Sequence, residues 1–160
     1  MEDGSAGGAP PFGGGGAAVR ERWDDLVADM AATAADLRDE GREVLELHPA
    51  DVTVVSRSRR GFDVLVPDDE FETLREWVDG ATFPEHRVYR AEAGLVFLLV
   101  VLDEPDAGLA VCCPLYYEPN EAETLRELAG ADGELRTHVR RLSESYVTLT
   151  HDDVEPFLPE

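Results

Sequence analysis

The sequence lacks lysine, isoleucine and glutamine, and Asn120 is its single asparagine. All 14 basic residues are therefore arginine. Because the codons for lysine, isoleucine and asparagine are rich in A and T, their joint scarcity indicates a GC-rich genome. The glycine run at residues 13–16 has no lysine after it and no strand before it. This excludes a phosphate-binding loop built on a lysine.

Long apolar runs are also missing. The longest, residues 94–102, has about nine residues, whereas a membrane-spanning helix needs ~20. The chain begins with Glu2 and Asp3 and has no basic segment followed by an apolar one, so we expect no signal peptide. These features predict a soluble, cytoplasmic protein that has no membrane partner.

Acidic residues are in large excess over basic ones. The chain has 35 aspartate and glutamate residues and a net charge of −21, and codon bias alone does not favour carboxylates so strongly. Such a charge destabilises the folded chain through self-repulsion at low ionic strength. Molar salt shortens the screening length to about 3 Å. The composition therefore predicts a cytoplasmic protein of a halophile that accumulates salt, with an archaeon as the expected source.

The length and the apolar content are those of one domain. A chain of 160 residues with 43% hydrophobic residues can form a single core. Residues 1–18 are mostly glycine, alanine and proline, and they have too little apolar surface to offset the entropy lost on ordering. We predict a disordered Gly-rich tail over residues 1–18 and a single domain over residues 19–158.

Hydrophobic periodicity predicts the order α-β-β-β-α-β-β-β-α-β, with a further short strand at the end. Clustered strands joined by hairpins favour an α+β fold with a mixed or antiparallel sheet of about 5–7 strands and about three helices. Residues 95–102 are apolar on both faces, which predicts a central strand covered on both sides. Pro114 predicts a break or bulge in the strand at 109–117.

Capping residues predict where the helices begin and end. The predicted signals are Gly41 after the first helix, Asp68 and Gly80 around the second, and a capping box of Asn120 with Glu123 and a stop at Gly130 for the third.

Five segments carry a family resemblance. They are Val44-Leu45-Glu46-Leu47-His48-Pro49-Ala50-Asp51, Phe62-Asp63-Val64-Leu65-Val66-Pro67-Asp68, Val88-Tyr89-Arg90-Ala91-Glu92, Arg136-Thr137-His138-Val139-Arg140 and Thr150-His151-Asp152-Asp153. Over about residues 20–158 the chain resembles a family of small haloarchaeal proteins of unknown function. The resemblance implies the host lineage and one compact domain, and it implies no activity, cofactor or catalytic residue.

The clearest candidate contact site is the segment Arg57-Ser58-Arg59-Arg60, which we call the arginine turn. Three arginines in four residues before Gly61 form a local positive patch in an acidic chain. Arginine binds carboxylates and phosphates in a bidentate manner. The alternative is an exposed turn whose charges pair with neighbouring acids and contribute little. Arg136, Arg140 and Arg141 form a second, weaker cluster, and both clusters are too small to predict a nucleic-acid interface.

Tyr116 and Tyr117 are further binding candidates, because a tyrosine at a strand end combines an apolar ring with a polar tip and often lines a pocket or interface. The pair Phe157-Leu158 either docks back on the core or presents a short motif, and docking is the expected outcome.

Metal and catalytic sites have weaker support. His138, His151 and Asp152 form a metal site only if the last two strands bring them together, and the four histidines show no metal-ligand spacing. Cys112 and Cys113 are adjacent, so on a strand they point to opposite faces and are expected to pack as small apolar residues. A redox or metal-binding thiol pair, or a cysteine–histidine nucleophile with His138, is the alternative.

The complete core pattern and the missing catalytic motif favour a non-enzymatic binding or adaptor domain that acts through contacts with another protein. We expect no cofactor. The alternative is a small-ligand-binding or metal-dependent enzyme that uses His138, His151, Asp152 and the cysteine region.

Folding is predicted to depend on salt, because the net charge of −21 is repulsive when unscreened. Far-ultraviolet circular dichroism should show the native signal strengthening as KCl rises towards molar concentrations. Full stability in dilute buffer that added KCl leaves unchanged would contradict the prediction.

Overall fold

The computed structural model describes residues 16–143 and 145–159. Their order of elements is the predicted one. The helices are α1 (Ala17–Asp39), α2 (Asp68–Gly80) and α3 (Ala122–Asp132). The strands are β1 (Glu43–Glu46), β2 (Asp51–Val55), β3 (Gly61–Leu65), β4 (Glu85–Ala93), β5 (Leu95–Glu104), β6 (Leu109–Tyr117), β7 (Leu135–Arg140) and β8 (Tyr146–His151). Residues 1–15, most of the predicted tail, lie outside the described part of the chain.

The strands form two mixed sheets of four strands each. The first sheet has the order β1-β6-β5-β4, with β1 parallel to β6 and the other pairs antiparallel. The second has the order β2-β3-β7-β8, with β3 parallel to β7 and the other pairs antiparallel. The α+β class, the three helices and the single compact domain are confirmed, and the described strands number eight in two sheets.

Strand β5 is buried on both faces, as its sequence predicts. One face packs with α1 in a smaller core that includes Phe97, Leu99 and Val101. The other face contributes to the main core between the sheets, which also contains residues of α2 and α3. The buried residues of α1 are Trp23, Leu26, Met30, Ala34 and Leu37, spaced at three or four residues along one face. The molecule is thus a helix, a sheet and a second sheet in successive layers.

The predicted break at Pro114 is wrong, because β6 stays in register with β5 along its whole length and Pro114 lies opposite Leu99. The backbone of β6 explains this. The carbonyl of Cys112 accepts a hydrogen bond from the Leu47 amide just after β1, so at Cys112 and at every second residue the backbone groups point towards β1. Position 114 therefore faces the same side as Cys112 but lies beyond the end of β1. The N–H that proline lacks is not needed for pairing with β1 there.

Three helix boundaries differ from the prediction. Pro67, rather than Asp68, is the N-cap of α2. A short 3-10 turn over Pro119–Glu121 precedes α3, and its capping box is formed by Glu118 and Glu121 instead of Asn120 and Glu123. Helix α3 continues past Gly130 to Gly133, which takes the left-handed conformation with φ 74°. Gly130 lies within the helix, whereas Gly133 provides the left-handed end that only glycine adopts readily.

The carboxyl-terminal segment docks on the core, as predicted for Phe157. The Phe157 side chain is fully buried, and its ring centroid lies 6.1 Å from that of Phe62. The Tyr117 hydroxyl donates a 2.6 Å hydrogen bond to the Phe157 carbonyl. This segment therefore closes the space between the two sheets. No described helix combines the length and the apolar content that crossing a membrane requires.

Replacement of Phe157 by alanine should lower the free energy of unfolding by about 3–5 kcal/mol, because it empties a fully buried aromatic position. Urea unfolding in molar KCl measures the loss. The matched control is Leu142→Ala, since Leu142 is 84% exposed and its truncation should change stability by no more than about 0.5 kcal/mol. Equal stability of the two variants would show that the segment does not dock.

Candidate functional site

The arginine turn joins β2 to β3, and two of its three arginines are engaged within the chain. The Arg59 guanidinium lies 3.8 Å from the centre of the Tyr146 ring and donates to the Tyr146 hydroxyl. Arg60 donates to the Asp132 carboxylate at 3.0 Å. Arg57 is exposed and has no ion pair or hydrogen bond with any described residue. The turn is at the surface, as expected, and Arg57 is the arginine that stays available.

His138 supports this turn from the outer face of the second sheet. Its Nε2 lies 3.0 Å from the Arg60 carbonyl and its Nδ1 lies 2.9 Å from the Thr148 hydroxyl. Since a carbonyl only accepts, Nε2 carries the proton, and in the neutral ring Nδ1 accepts from Thr148. Both nitrogens of His138 are therefore used in holding the turn against the sheet.

Tyr116 and Tyr117 point to opposite faces of β6. Tyr117 is 1% exposed, stacks on Phe62 with ring centroids 6.2 Å apart, and belongs to the main core. Tyr116 is half-buried, meets the Trp23 ring edge-on at 5.9 Å, and lines a surface hollow of about 510 Å³ together with Val19 and Leu95. Burial raises the pKa of the Tyr116 hydroxyl to about 12, so this hydroxyl stays protonated.

The structure separates His138 from His151 and brings His151 to another histidine. His151 ends β8 on the inner face of the second sheet, and its Nδ1 lies 3.0 Å from Nδ1 of His86 in β4. We call His86 and His151 the histidine pair. Sequence reasoning missed it because β4 and β8 belong to different sheets; the only signal was that His86 shares the inward face of β4 with Val88.

The histidine pair is part of a chain of hydrogen bonds with defined ends. His86 Nε2 lies 3.0 Å from the Phe83 carbonyl, and His151 Nε2 lies 2.9 Å from the Thr137 hydroxyl. All four ring nitrogens of the pair therefore have partners. Neither imidazole offers a free nitrogen to act as a general base on a substrate.

The backbone next to the histidine pair has a strained conformation and is held by hydrogen bonds to a buried carboxylate. Phe83 has φ 48°, an uncommon conformation for a residue with a side chain. The buried Glu104 carboxylate accepts hydrogen bonds from the Thr82 and Phe83 amides at 3.0 and 3.2 Å. Above this turn lies a polar hollow of about 330 Å³, lined by Thr82, Phe83, Pro84, His86, Thr150, Asp152 and Asp153. Asp152 thus lies near His86, not near His138.

Burial shifts the pKa of both histidines in the same direction. Desolvation lowers the pKa of His86, while the Phe83 carbonyl and Asp152 oppose that change. Desolvation, with a smaller contribution from His86, lowers the pKa of His151 to about 3. The pair is therefore neutral at pH 7. The described residues contain no group of three or more histidine, cysteine, aspartate or glutamate side chains that could hold a metal ion.

His48 has its own hydrogen-bond partner in another part of the fold. The Glu70 carboxylate accepts from the His48 amide at 2.7 Å and lies 2.8 Å from its Nδ1. The hydrogen bond to Glu70 raises the pKa of His48, although partial burial opposes it. The four histidines thus lie in three separate places, each with internal partners.

The two cysteines are buried on opposite faces of β6, as predicted. Cys112 lies in the core under α1, and Cys113 lies in the main core between the sheets. Burial raises the pKa of the Cys112 thiol to about 11 and that of Cys113 further still. His138 lies on the outer face of the second sheet, so neither thiol shares a site with it.

A groove runs between α1 and β4, which we call the helix–strand groove. Helix α1 packs on β1, β6 and β5, and β4 is the edge strand beyond them. The groove holds about 370 Å³. Its lining includes Leu26, Phe97 and Leu99 as an apolar floor, with Asp29 and Asp36 along the helix and Tyr89 on the strand. Tyr89 is 51% exposed.

Cys112 and Cys113 should be unreactive in the native protein, since the thiolate is the reactive form and burial disfavours it. Titration with a thiol reagent in molar KCl should label neither cysteine natively and both after denaturation. A Leu142→Cys variant provides the control, because position 142 is exposed and its thiol should react at once. Rapid native labelling of both wild-type cysteines would refute their burial.

Comparisons with known proteins identify a family but no function. No curated protein and no solved structure matches the chain. A family model does match, over residues 15–159, and its description is a family of unknown function, DUF7529. The match spans nearly the whole chain, and the chain belongs to this family.

Proposed function

We propose that this protein is a non-enzymatic binding domain that acts through contacts with another protein in the cytoplasm of a salt-accumulating archaeon. The histidines and cysteines, which could act in catalysis, are engaged or buried within the fold. This supports a binding function over an enzymatic one. Histidine nitrogens hold turns and strands together, and both thiols are buried with raised pKa values. The acid excess, with a net charge of −21, supports the halophilic setting.

The helix–strand groove is the best-supported contact surface. A large apolar side chain, Tyr89, stands 51% exposed beside an apolar floor, and aromatic side chains of this kind often anchor interfaces. In register, Tyr89 lies opposite Leu99 and Ala91 lies opposite Phe97. Strand and floor therefore form one continuous surface. The exposure of Tyr89 on this surface supports a binding site here.

The exposed charges on the helix side of the groove indicate the partner, because Arg90, the basic residue of the lining, donates to the Pro156 and Leu158 carbonyls. Asp29 and Asp36 are exposed on the helix side, and neither forms an ion pair with a described residue. A partner segment with apolar side chains flanked by arginine or lysine would fill the floor and neutralise these carboxylates. Because charge complementarity also excludes acidic segments, we assign the groove to a basic, apolar peptide segment of another protein.

The arginine turn is a secondary contact candidate of opposite charge. Arg59 and Arg60 are held by Tyr146 and Asp132, so the contribution of the turn to binding falls chiefly on Arg57. Tyr116 offers a third contact point at its surface hollow. We propose that these positions add orientation to a complex whose main contact is the groove.

A peptide array in molar KCl tests the groove. Short peptides that carry an apolar centre and arginine flanks should bind the labelled domain, and the same peptides with glutamate flanks should not. Tyr89→Ala should weaken binding at least about tenfold, or about 1.4 kcal/mol, because it removes the exposed anchor.

Leu142→Ala is the matched control, since it truncates the other large hydrophobic side chain that is exposed among the described residues. It should bind the peptides like the wild type. Equal binding of arginine-flanked and glutamate-flanked peptides, or binding that Tyr89→Ala leaves unchanged, would contradict the assignment.

A further inference from the structure

The histidine pair links the two sheets through side chains. His86 belongs to β4 at the edge of the first sheet, and His151 ends β8 at the edge of the second. Their Nδ1 atoms are 3.0 Å apart. His151 is 1% exposed, and its ring lies 4.8 Å from that of Phe157. This contact therefore joins β4, β8 and the carboxyl-terminal segment.

The direction of each hydrogen bond follows from the partners at the two ends. The Phe83 carbonyl can only accept, so His86 Nε2 donates and His86 Nδ1 is an acceptor in the neutral ring. His151 Nδ1 must then donate to His86 Nδ1, which leaves His151 Nε2 to accept from the Thr137 hydroxyl. In the neutral state every member of the chain has the partner that it needs.

One additional proton disrupts this arrangement. A proton on His86 Nδ1 faces the N–H of His151 at 3.0 Å. Relief requires His151 to move its own proton to Nε2 and Thr137 to reverse its hydroxyl, and a charged imidazolium then lies against a nearly inaccessible ring. Both changes act on buried groups, where an unsatisfied or charged polar group is costly.

The residues around the histidine pair determine which way a protonated His86 moves. Asp152 and Asp153 line the polar hollow from the segment after β8, and Asp152 favours the charged form of His86. Glu104 holds the Thr82–Phe83 turn from the end of β5. On the other side the group facing His151 is the apolar Phe157 ring. A protonated His86 is thus drawn towards the hollow and away from His151.

We propose that the histidine pair is a proton-sensitive latch between the two sheets. When neutral, it fastens the strained Phe83 turn and the start of β4 to the end of β8. When His86 takes up a proton, the contact opens, and the turn and the polar hollow become mobile while the core under α1 stays folded. The latch does not depend on the binding function of the groove.

The pH window follows from the pKa shift of His86. His86 binds a proton more weakly in the closed state than in an open one, where the ordinary pKa of 6.5 applies, whereas His151 stays buried against Phe157 and neutral in both states. Closure is therefore at full strength above pH 6.5 and weakens as the pH falls below it. Uptake of one proton raises the open population by up to about tenfold per pH unit in that range.

Hydrogen exchange of single amides by nuclear magnetic resonance, from about pH 7.5 to about pH 5 across the ordinary imidazole pKa, tests the latch. After correction for intrinsic exchange, protection of the Thr82 and Phe83 amides should fall below pH 6.5, and amides of β6 should keep theirs. In His86→Asn the amide oxygen still accepts from His151 but gains no proton, so the fall should disappear.

His48→Gln is the matched control, because it removes a histidine whose pKa is shifted upwards and should retain the fall at Phe83. Ring nitrogen shifts of the wild type give a readout that needs no variant: the proton should be on Nε2 of His86 and on Nδ1 of His151. Protection that does not change with pH, a fall that persists in His86→Asn, or the opposite tautomers would overturn the proposal.

Discussion

Burial of β5 on both faces determines where α1 and the second sheet must lie. Its residues from Val96 to Glu104 are all buried, so one face needs α1 and the other needs the second sheet. Each apolar side chain transferred from water contributes about 1.5–3 kcal/mol, and β5 supplies them to both cores. The position of α1 on β5 in turn leaves β4 beyond the helix, which creates the helix–strand groove.

Local sequence patterns were sufficient to predict the elements but not their assembly into sheets. The apolar run of β5 and the spacing along α1 predicted the central strand and its helix, and the order of elements is confirmed. The division into two sheets depends on parallel pairs that join distant residues, such as Glu43 with Leu109 and Phe62 with Thr137. Gly130 was a wrong helix end because a glycine stops a helix only where the backbone takes the left-handed conformation, as Gly133 does.

The candidate sites show the same limit. The arginine turn was recognisable because its charge contrasts with an acidic chain, yet its contacts with Tyr146 and Asp132 bridge 87 and 72 residues. His138 and His151 share a strand hairpin but point to opposite faces, and the partner of His151 comes from the other sheet. The histidines form hydrogen bonds within the fold. The proposed contact surface is the helix–strand groove, which no single sequence motif identifies.

We propose that binding occurs at the helix–strand groove and that the histidine pair is an internal support. Amide and ring shift mapping during titration with an arginine-flanked apolar peptide tests this most directly. We expect shift changes along β4 around Tyr89 and along the facing side of α1 at Asp29 and Asp36, with the His86 and His151 rings unchanged. Changes centred on Thr82, Phe83 and the histidine rings, with the groove unaffected, would contradict it.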